Sequence, residues 1–392
     1  MNINVIRKID THLGSIVCRV LLALRNIARP RPLVETVLPL TVCRSVLVVK
    51  FFGMGTILLA SPALRVLKQR YAGSKITMLT LSTNRELCRA LPSVDDVICL
   101  RIDSLSGFLI SFGGILRTFT KQQFDVVIDL EFLTNFSAMV TVLATLFTRP
   151  EVTVGFNSPL RWRNNTHDIN VAFDHSRHIT KIFSKVVRSL GIDEFEYSFK
   201  PERTALLSGG VKGFIPTLKQ AHGALKNCTR FVCLNINTGD LCLHRRWPKE
   251  YFSEIVNGLL KKPEMAVILI GGKTETSYVN EFAAGFNSLP RVVNLCGETG
   301  IWELAGLFAG ADLLITNDSG PLHLAGIIGL PTISFFGPET PYLYGPFEDG
   351  HYVFYDDLHC SPCLNIYNSK MSHCTNNLCL KNIKPGQVLE VI

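Results

Sequence analysis

The sequence predicts an α/β protein built from two doubly wound, Rossmann-like domains. Three observations carry that reading. Short apolar runs of strand length alternate with helix-patterned segments almost from end to end, the signature of a mostly parallel sheet. The rhythm lapses once, around residues 200–225, and then restarts. The chain of 392 residues is about two domain lengths.

In the first half, Ser45–Phe51 (SVLVVKF) is a buried-type strand, and Gly53-Met54-Gly55 turns the chain into a helix through Leu58 to Tyr71. Lys75–Leu81 and Asp96–Leu100 are strands preceded by turn-formers. Phe124–Asp129 (FDVVID) is another strand, followed by a helix from about Asn135 to Phe147, and Val152–Phe156 closes the series. The stretch KPERTALLSGGVKGFIPT is rich in Gly and Pro and marks the domain boundary. The organisation predicted is a basic amino-terminal segment (1–41), a first domain (42–215) and a second domain (216–392). In the second, Phe231–Asn237, Ala266–Ile270, Val292–Leu295, Asp312–Thr316 and Thr332–Phe336 read as strands. Helices are expected over Pro248–Leu260, Ile301–Phe308 and Leu322–Ile328.

Composition narrows the function classes. With 47% hydrophobic and 18% charged residues the chain is a folded globular protein, not a disordered one. Its 40 Lys+Arg against 32 Asp+Glu, net +8, suit an anionic partner without choosing which. Eight of the twelve cysteines stand singly in apolar runs and read as small buried hydrophobes. Cys360, Cys363, Cys374 and Cys379 cluster, and a tetrahedral zinc site, reduced thiols and a disulfide are all open to them. No run of about 18 apolar residues could span a bilayer. Leu13–Ile27, interrupted and flanked by Arg7, Lys8, Arg19, Arg25, Arg29 and Arg31, fits a basic amphipathic helix on an anionic membrane or a helix packed on the first domain.

The chemistry is concentrated in ITNDSGPLHLAG. A buried strand runs into Asn317-Asp318-Ser319-Gly320, and a helix begins at Pro321, so its free N–H groups face the strand's carboxyl end. That edge of an open α/β sheet is the ligand crevice, and a helix N-terminus there receives anions such as a diphosphate. Ser319 adds a hydroxyl, Gly320 permits close approach and His323 stands in the first turn. The plainer reading, that Asp318 or Ser319 only caps the helix, accounts for one polar residue and not for the group. Gly271-Gly272-Lys273-Thr274 imitates a phosphate loop, but Val267 stands where the first glycine is needed. No Asp-x-Asp suited to holding a metal is evident, so neither metal nor cofactor is expected.

NDSGPLHLAGIIGLPTISFFGPETP resembles the signature of glycosyltransferase family 9, the ADP-heptose:lipopolysaccharide heptosyltransferases. LVVKFFGMGTILLASPALRVLKQRY, FDVVIDLEFLTNFSA and HRRWPKEYFSEIV agree in order and spacing, so the resemblance runs from about Ser45 to the end. It implies a GT-B fold, two Rossmann-like domains facing a cleft, with the donor on the second and the acceptor on the first. It also implies inverting transfer of a sugar, heptose, from a nucleotide-diphosphate donor, ADP-heptose, to a lipopolysaccharide, lipid-linked or other envelope glycan. A cytoplasmic location goes with it, peripheral on the inner membrane if the amino-terminal helix binds lipid, and no nucleic-acid partner. Asn317, Asp318, Ser319, Gly320 and His323 match the donor-diphosphate loop. Arg245 stands where the family usually has a phosphate-contacting lysine, and Glu275 near the position that holds the ribose.

One departure matters. The family's first-domain loop reads Gly-Asp, with the aspartate as general base, whereas this chain has Gly55-Thr56, and a hydroxyl is no base near neutral pH. Glu131 and Asp129, at alternating positions after a buried strand, are the expected replacements, Glu131 ahead of Asp129. A nucleotide-sugar epimerase and a non-catalytic nucleotide-sugar-binding protein are the alternatives.

Overall fold

A computed structural model of the chain describes residues 10–28, 42–193, 195, 197–239, 242–368 and 370–392. Arg7, Lys8, Arg29 and Arg31 therefore lie outside the described residues. The chain divides into two compact units, Met1–Ser198 and Phe199–Ile392. The division falls earlier than the Gly/Pro-rich stretch suggests, because that stretch is not a linker. It forms helices Lys200–Gly209 and Phe214–Ala221, which pack on helix Ile301–Gly310 of the second unit. Pro201 sits in a first turn, where its missing N–H is harmless. Gly209 lies against Trp302, where a Cβ would come within 2.3 Å of the ring, so this glycine marks a close approach and not a hinge.

Each unit holds a six-stranded, wholly parallel sheet. The first comprises β1 (Ser45–Val49), β2 (Lys75–Leu81), β3 (Asp96–Leu100), β4 (Val126–Asp129), β5 (Val152–Phe156) and β6 (Ile169–Val171), in the order β3-β2-β1-β4-β5-β6. The second comprises β7 (Arg230–Asn235), β8 (Met265–Leu269), β9 (Val292–Asn294), β10 (Leu313–Asn317), β11 (Thr332–Phe336) and β12 (His351–Tyr355), in the order β12-β11-β10-β7-β8-β9. The two windings are the same. Two of the four edge strands, β6 and β12, escape the sequence pattern: one is three residues long and the other, HYVFY, is only half-buried. In this topology the chain reverses direction across the sheet between β1 and β4 and between β7 and β10, and ligand crevices open at such switch points.

Apolar strand residues and helix faces fill the space on the sheets. In the first unit Leu47, Val49, Leu79 and Val127 meet Ile115, Phe119 and Val140. In the second, Trp247 stacks on Phe335 with centroids 4.1 Å apart and its indole N–H donates to the Ile383 carbonyl at 3.1 Å. This fully buried tryptophan anchors the loop that carries Arg245.

Helix Ser15–Ala28 packs on helix Asn135–Thr148, burying Cys18, Leu22 and Arg25. The Cys18 thiol donates to the Asn135 carbonyl at 3.1 Å, and the Arg25 guanidinium to the Asn165 carbonyl at 2.8 Å. The packed-helix expectation is thus observed. Its other face leaves Ile16, Val17, Val20, Leu24 and Ile27 exposed. Among the described residues no helix is long and apolar enough to cross a membrane.

Candidate functional site

In the second unit the carboxyl ends of β7 and β10 lie side by side, and buried amides join them. Asn235 Nδ2 donates to Thr316 Oγ1 at 2.9 Å and Ser319 Oγ at 2.8 Å. Ser319 is the N-cap residue of helix Gly320–Ile328, yet its hydroxyl donates inward to the Asn317 carbonyl at 3.1 Å and makes no cap bond. Pro321 has no N–H and the Leu322 N–H donates to the Ser319 carbonyl at 3.2 Å, so without a side-chain cap the Gly320 N–H is the first-turn donor left for a ligand. Asn317 is itself fixed, its Oδ1 accepting from the Trp247 N–H at 2.8 Å.

Arg245 completes this end of the sheet. One guanidinium nitrogen donates to Asp318 Oδ2 at 3.2 Å and another to the Thr238 carbonyl at 2.9 Å. Its Nε is buried without a hydrogen-bond partner among the described residues. Glu275 ties two loops here, accepting from the Gly239 N–H at 2.9 Å and the Gly272 N–H at 2.8 Å. The second-unit residues singled out from the sequence, Asn317, Asp318, Ser319, Gly320, His323, Arg245 and Glu275, all gather at or beside the switch point. Sequence reasoning passes over Asn235, Glu339, Tyr344 and Lys370. Asn235 had a signal, a buried amide ending an apolar strand. Glu339 stands in the GPETP end of the family signature, where nothing names its partner, and Lys370 had no signal, since only folding brings the two together: Lys370 pairs with the buried Glu339 carboxylate and donates to Tyr344 Oη at 3.1 Å. Burial raises Glu339 above the usual carboxylate range, Lys370 opposes this, and Asp318 adds to it.

His323 is buried, and that burial, opposed by Asp318 and assisted by Arg245, pulls its imidazole down from 6.5 to about 4. It is neutral at physiological pH and offers a ring N–H, not a charge. Because the folded state holds this proton less tightly than the unfolded state, the second unit loses stability as pH falls from about 6.5 towards 4. A shift of this size corresponds to roughly 3 kcal/mol or slightly more. Urea unfolding at pH 7 and pH 4.5 should show that loss in the wild type and a much smaller one in His323→Gln; equal losses would assign the pH dependence elsewhere.

In the first unit, β1 and β4 end beside each other, and Lys50 and Glu131 meet there. Lys50 Nζ lies 2.9 Å from Glu131 Oε1, with side chains only 1% and 3% exposed. Glu131 Oε2 accepts from the N–H groups of Phe51 and Phe52 at 2.8 and 2.9 Å, and Oε1 from that of Phe132 at 3.1 Å. Asp129, equally buried, accepts from the Glu131 N–H at 2.9 Å, while its Oδ2 stands 3.6 Å from His167 Nε2. Both carboxylates occupy the strand end the sequence indicates, but Glu131 is committed to a lysine and three backbone donors. Thr56 Oγ1 donates to the Gly53 carbonyl at 2.8 Å. A carboxylate outside the sequence expectation also arrives here: Asp10 accepts from the N–H groups of Asn135 and Phe136 at 3.0 and 2.6 Å.

The twelve cysteines are free thiols, and among the described residues no three His, Cys, Asp or Glu side chains form a group that could hold a metal. The carboxyl-terminal four share one neighbourhood, the charges of Cys363, Cys374 and Cys360 all reaching Cys379, in a tail where Cys363 Sγ lies 3.3 Å from Ser372 Oγ and the Asn377 N–H donates to Cys374 Sγ at 3.2 Å.

Two Rossmann-like units of identical winding, one with an uncapped helix N-terminus and an arginine at its switch point, are the architecture of the GT-B class. The chain belongs to glycosyltransferase family 9 (heptosyltransferase), whose profile matches residues 114–373. It is 31% identical over 150 residues to lipooligosaccharide heptosyltransferase 2 of Campylobacter jejuni, a match spanning 38% of this chain and 46% of that protein. Lipopolysaccharide heptosyltransferase 3 of Escherichia coli K12 is 25% identical over 319 residues, 77% of this chain and 85% of the relative. The solved structure of E. coli ADP-heptose lps heptosyltransferase II shares the fold, with a TM-score of 0.63 at 18% identity over 88% of this chain and 96% of that one.

Proposed function

We propose that the protein is an inverting, metal-independent glycosyltransferase that moves heptose from ADP-heptose to a lipopolysaccharide or related envelope glycan. The observation that carries this reading is the convergence of the uncapped helix N-terminus at Gly320 with the guanidinium of Arg245, within the residues matched by the family. Together they offer the Gly320 N–H, the positive end of a helix dipole and a fixed cation to a leaving diphosphate, which is charge stabilisation without a metal. His323 adds a neutral donor. The names of the relatives, which carry heptose and lipopolysaccharide, supply the sugar and the acceptor class. For the proton acceptor we propose the Asp129–Glu131 segment at the first unit's switch point.

A thermal-shift panel of ADP-, GDP- and UDP-sugars tests the donor, since a ligand that binds only the folded state raises its stability by mass action. ADP-heptose should stabilise the protein and be consumed only when a glycan acceptor is present. Binding without turnover would favour the non-catalytic reading, and isomerisation of the free nucleotide sugar the epimerase.

The acceptor reading extends to a peripheral position on the cytoplasmic face of an anionic membrane. What supports it is the exposed apolar face of helix Ser15–Ala28 beside Arg19, which lies over the Trp162 ring at 5.8 Å. The protein should sediment with phosphatidylglycerol vesicles, and Ile16→Ser/Val20→Ser/Ile27→Ser should stay in the supernatant. Equal soluble fractions would remove lipid from the reading, because these side chains are 60%, 55% and 80% exposed and face away from the packed side of the helix.

A further inference from the structure

The cysteine-rich tail does more in this fold than close the chain. Its segment from Ser361 to Asn377 is tied to the loops around the donor site. The Leu364 N–H donates to the Pro338 carbonyl at 2.9 Å, the Ser361 hydroxyl to the Gly337 carbonyl, and the Asn377 amide to the Arg246 carbonyl at 3.4 Å. Cys379 packs so tightly on Gly337 that a Cβ there would lie 2.8 Å from its sulfur. At the centre of this segment stands Lys370, in a left-handed conformation with φ 55° that is uncommon outside glycine and asparagine. Its ammonium pairs with Glu339, itself 4% exposed, and lies 4.6 Å from the Tyr344 ring centroid. Glu339 feels the charges of both Asp318 and Arg245, so the pair shares one electrostatic neighbourhood with the donor loop. Glu339 Oε2 is buried without a hydrogen bond among the described residues, so the carboxylate is held mainly by the lysine.

We infer that Lys370 is a second cation of the donor-diphosphate site, delivered by the cysteine-rich tail and held in readiness by Glu339. The inference rests on the donor reading proposed above. As it stands the site is balanced, Arg245 against Asp318 and Lys370 against Glu339, and a diphosphate brings at least two further negative charges. One guanidinium and a helix N-terminus leave part of that charge uncompensated in a buried setting. The lysine is the flexible member: its side chain is 23% exposed, and an ammonium with three rotatable donors can turn from carboxylate to phosphate. No covalent step is involved; the change is one of partner.

The test is calorimetric titration of ADP and, separately, adenosine into wild type, Lys370→Ala, Lys370→Arg and Lys370→Ala/Glu339→Gln. The loss of a charge-assisted bond predicts ADP affinity lower by about tenfold to a hundredfold in Lys370→Ala. Adenosine should bind unchanged, Lys370→Arg should lie close to wild type, and KM for the donor should rise more than kcat falls. The double variant removes the stranded carboxylate, so a folding defect of the single variant does not hide the result, and it should remain weak for ADP. Unchanged ADP affinity in both alanine variants, or an equal loss for ADP and adenosine, would overturn the inference while leaving the donor reading intact. A wild-type protein that binds ADP-heptose and no ADP would overturn it as well. Failure of wild type to bind any nucleoside diphosphate would sink the donor reading first.

Discussion

Glu131→Gln is expected to destabilise the first unit by about 3–5 kcal/mol, the usual consequence of removing one partner from a buried ion pair. Lys50 is 1% exposed, and its ammonium lies between the Glu131 carboxylate and the Phe132 ring, 4.1 Å from the ring centroid. The amide of glutamine can still accept the N–H groups of Phe51 and Phe52, so the loop after β1 keeps its local bonds. What it cannot do is neutralise the lysine. Lys50→Met/Glu131→Gln should therefore recover most of the lost stability, because a methionine fills the stem's volume and brings no charge to bury. Urea unfolding of the two single variants and the double gives the coupling energy, and additive losses would show that the pair does not act as a unit. Turnover of the recovered double variant then separates the two possible roles of Glu131. Its loss in a stable protein assigns proton acceptance to this carboxylate. Its retention makes Glu131 the brace of the β1 loop and moves the base to Asp129 or beyond.

Arg245→Ala is expected to lower donor turnover by about 10²–10³-fold, the range found when one preorganised donor to a developing anion is removed. The arginine is placed by three independent contacts of its surroundings: Asp318, the Thr238 carbonyl, and the loop anchored by Trp247. Little reorganisation is then needed when the leaving diphosphate forms. Arg245→Lys keeps the charge and loses the fork, and it should retain most of the activity. The alanine variant also leaves Asp318 unpaired beside the anion site, so ADP should stabilise it far less than wild type in a melting experiment. Wild-type rates in Arg245→Ala would take the residue out of the site.

The proposed donor side was legible as one cluster in the sequence because its residues are contiguous. Asn317 to His323 form one strand end, one turn and one helix start, and local patterning alone places them on the carboxyl edge of a sheet. Arg245 was legible from a short motif ending in Trp247-Pro248. Whether the Ser319 side chain caps the helix was not. It depends on where the Ser319 hydroxyl points, and that is decided by Asn235, a residue on another strand.

The proposed base shows the same division more sharply. Alternation along β4 and the turn after it put Asp129 and Glu131 at the switch point, but nothing in FDVVIDLE says that Lys50, from a distant part of the chain, will occupy the carboxylate. Likewise KPERTALLSGGVKGFIPT looks like a linker until Gly209 is seen against Trp302, when its glycines become contact positions of the second unit. The sequence by itself determined ten of the twelve strands, their parallel winding and the turn from Asn317 into a helix, because apolar periodicity, glycine and helix ends act over a few residues. Only the tertiary structure decided which charges are paired, which polar atoms are left open and that the tail brings Lys370 to Glu339. Those outcomes depend on contacts between segments far apart in the chain and on the cost of burying a charge without its partner.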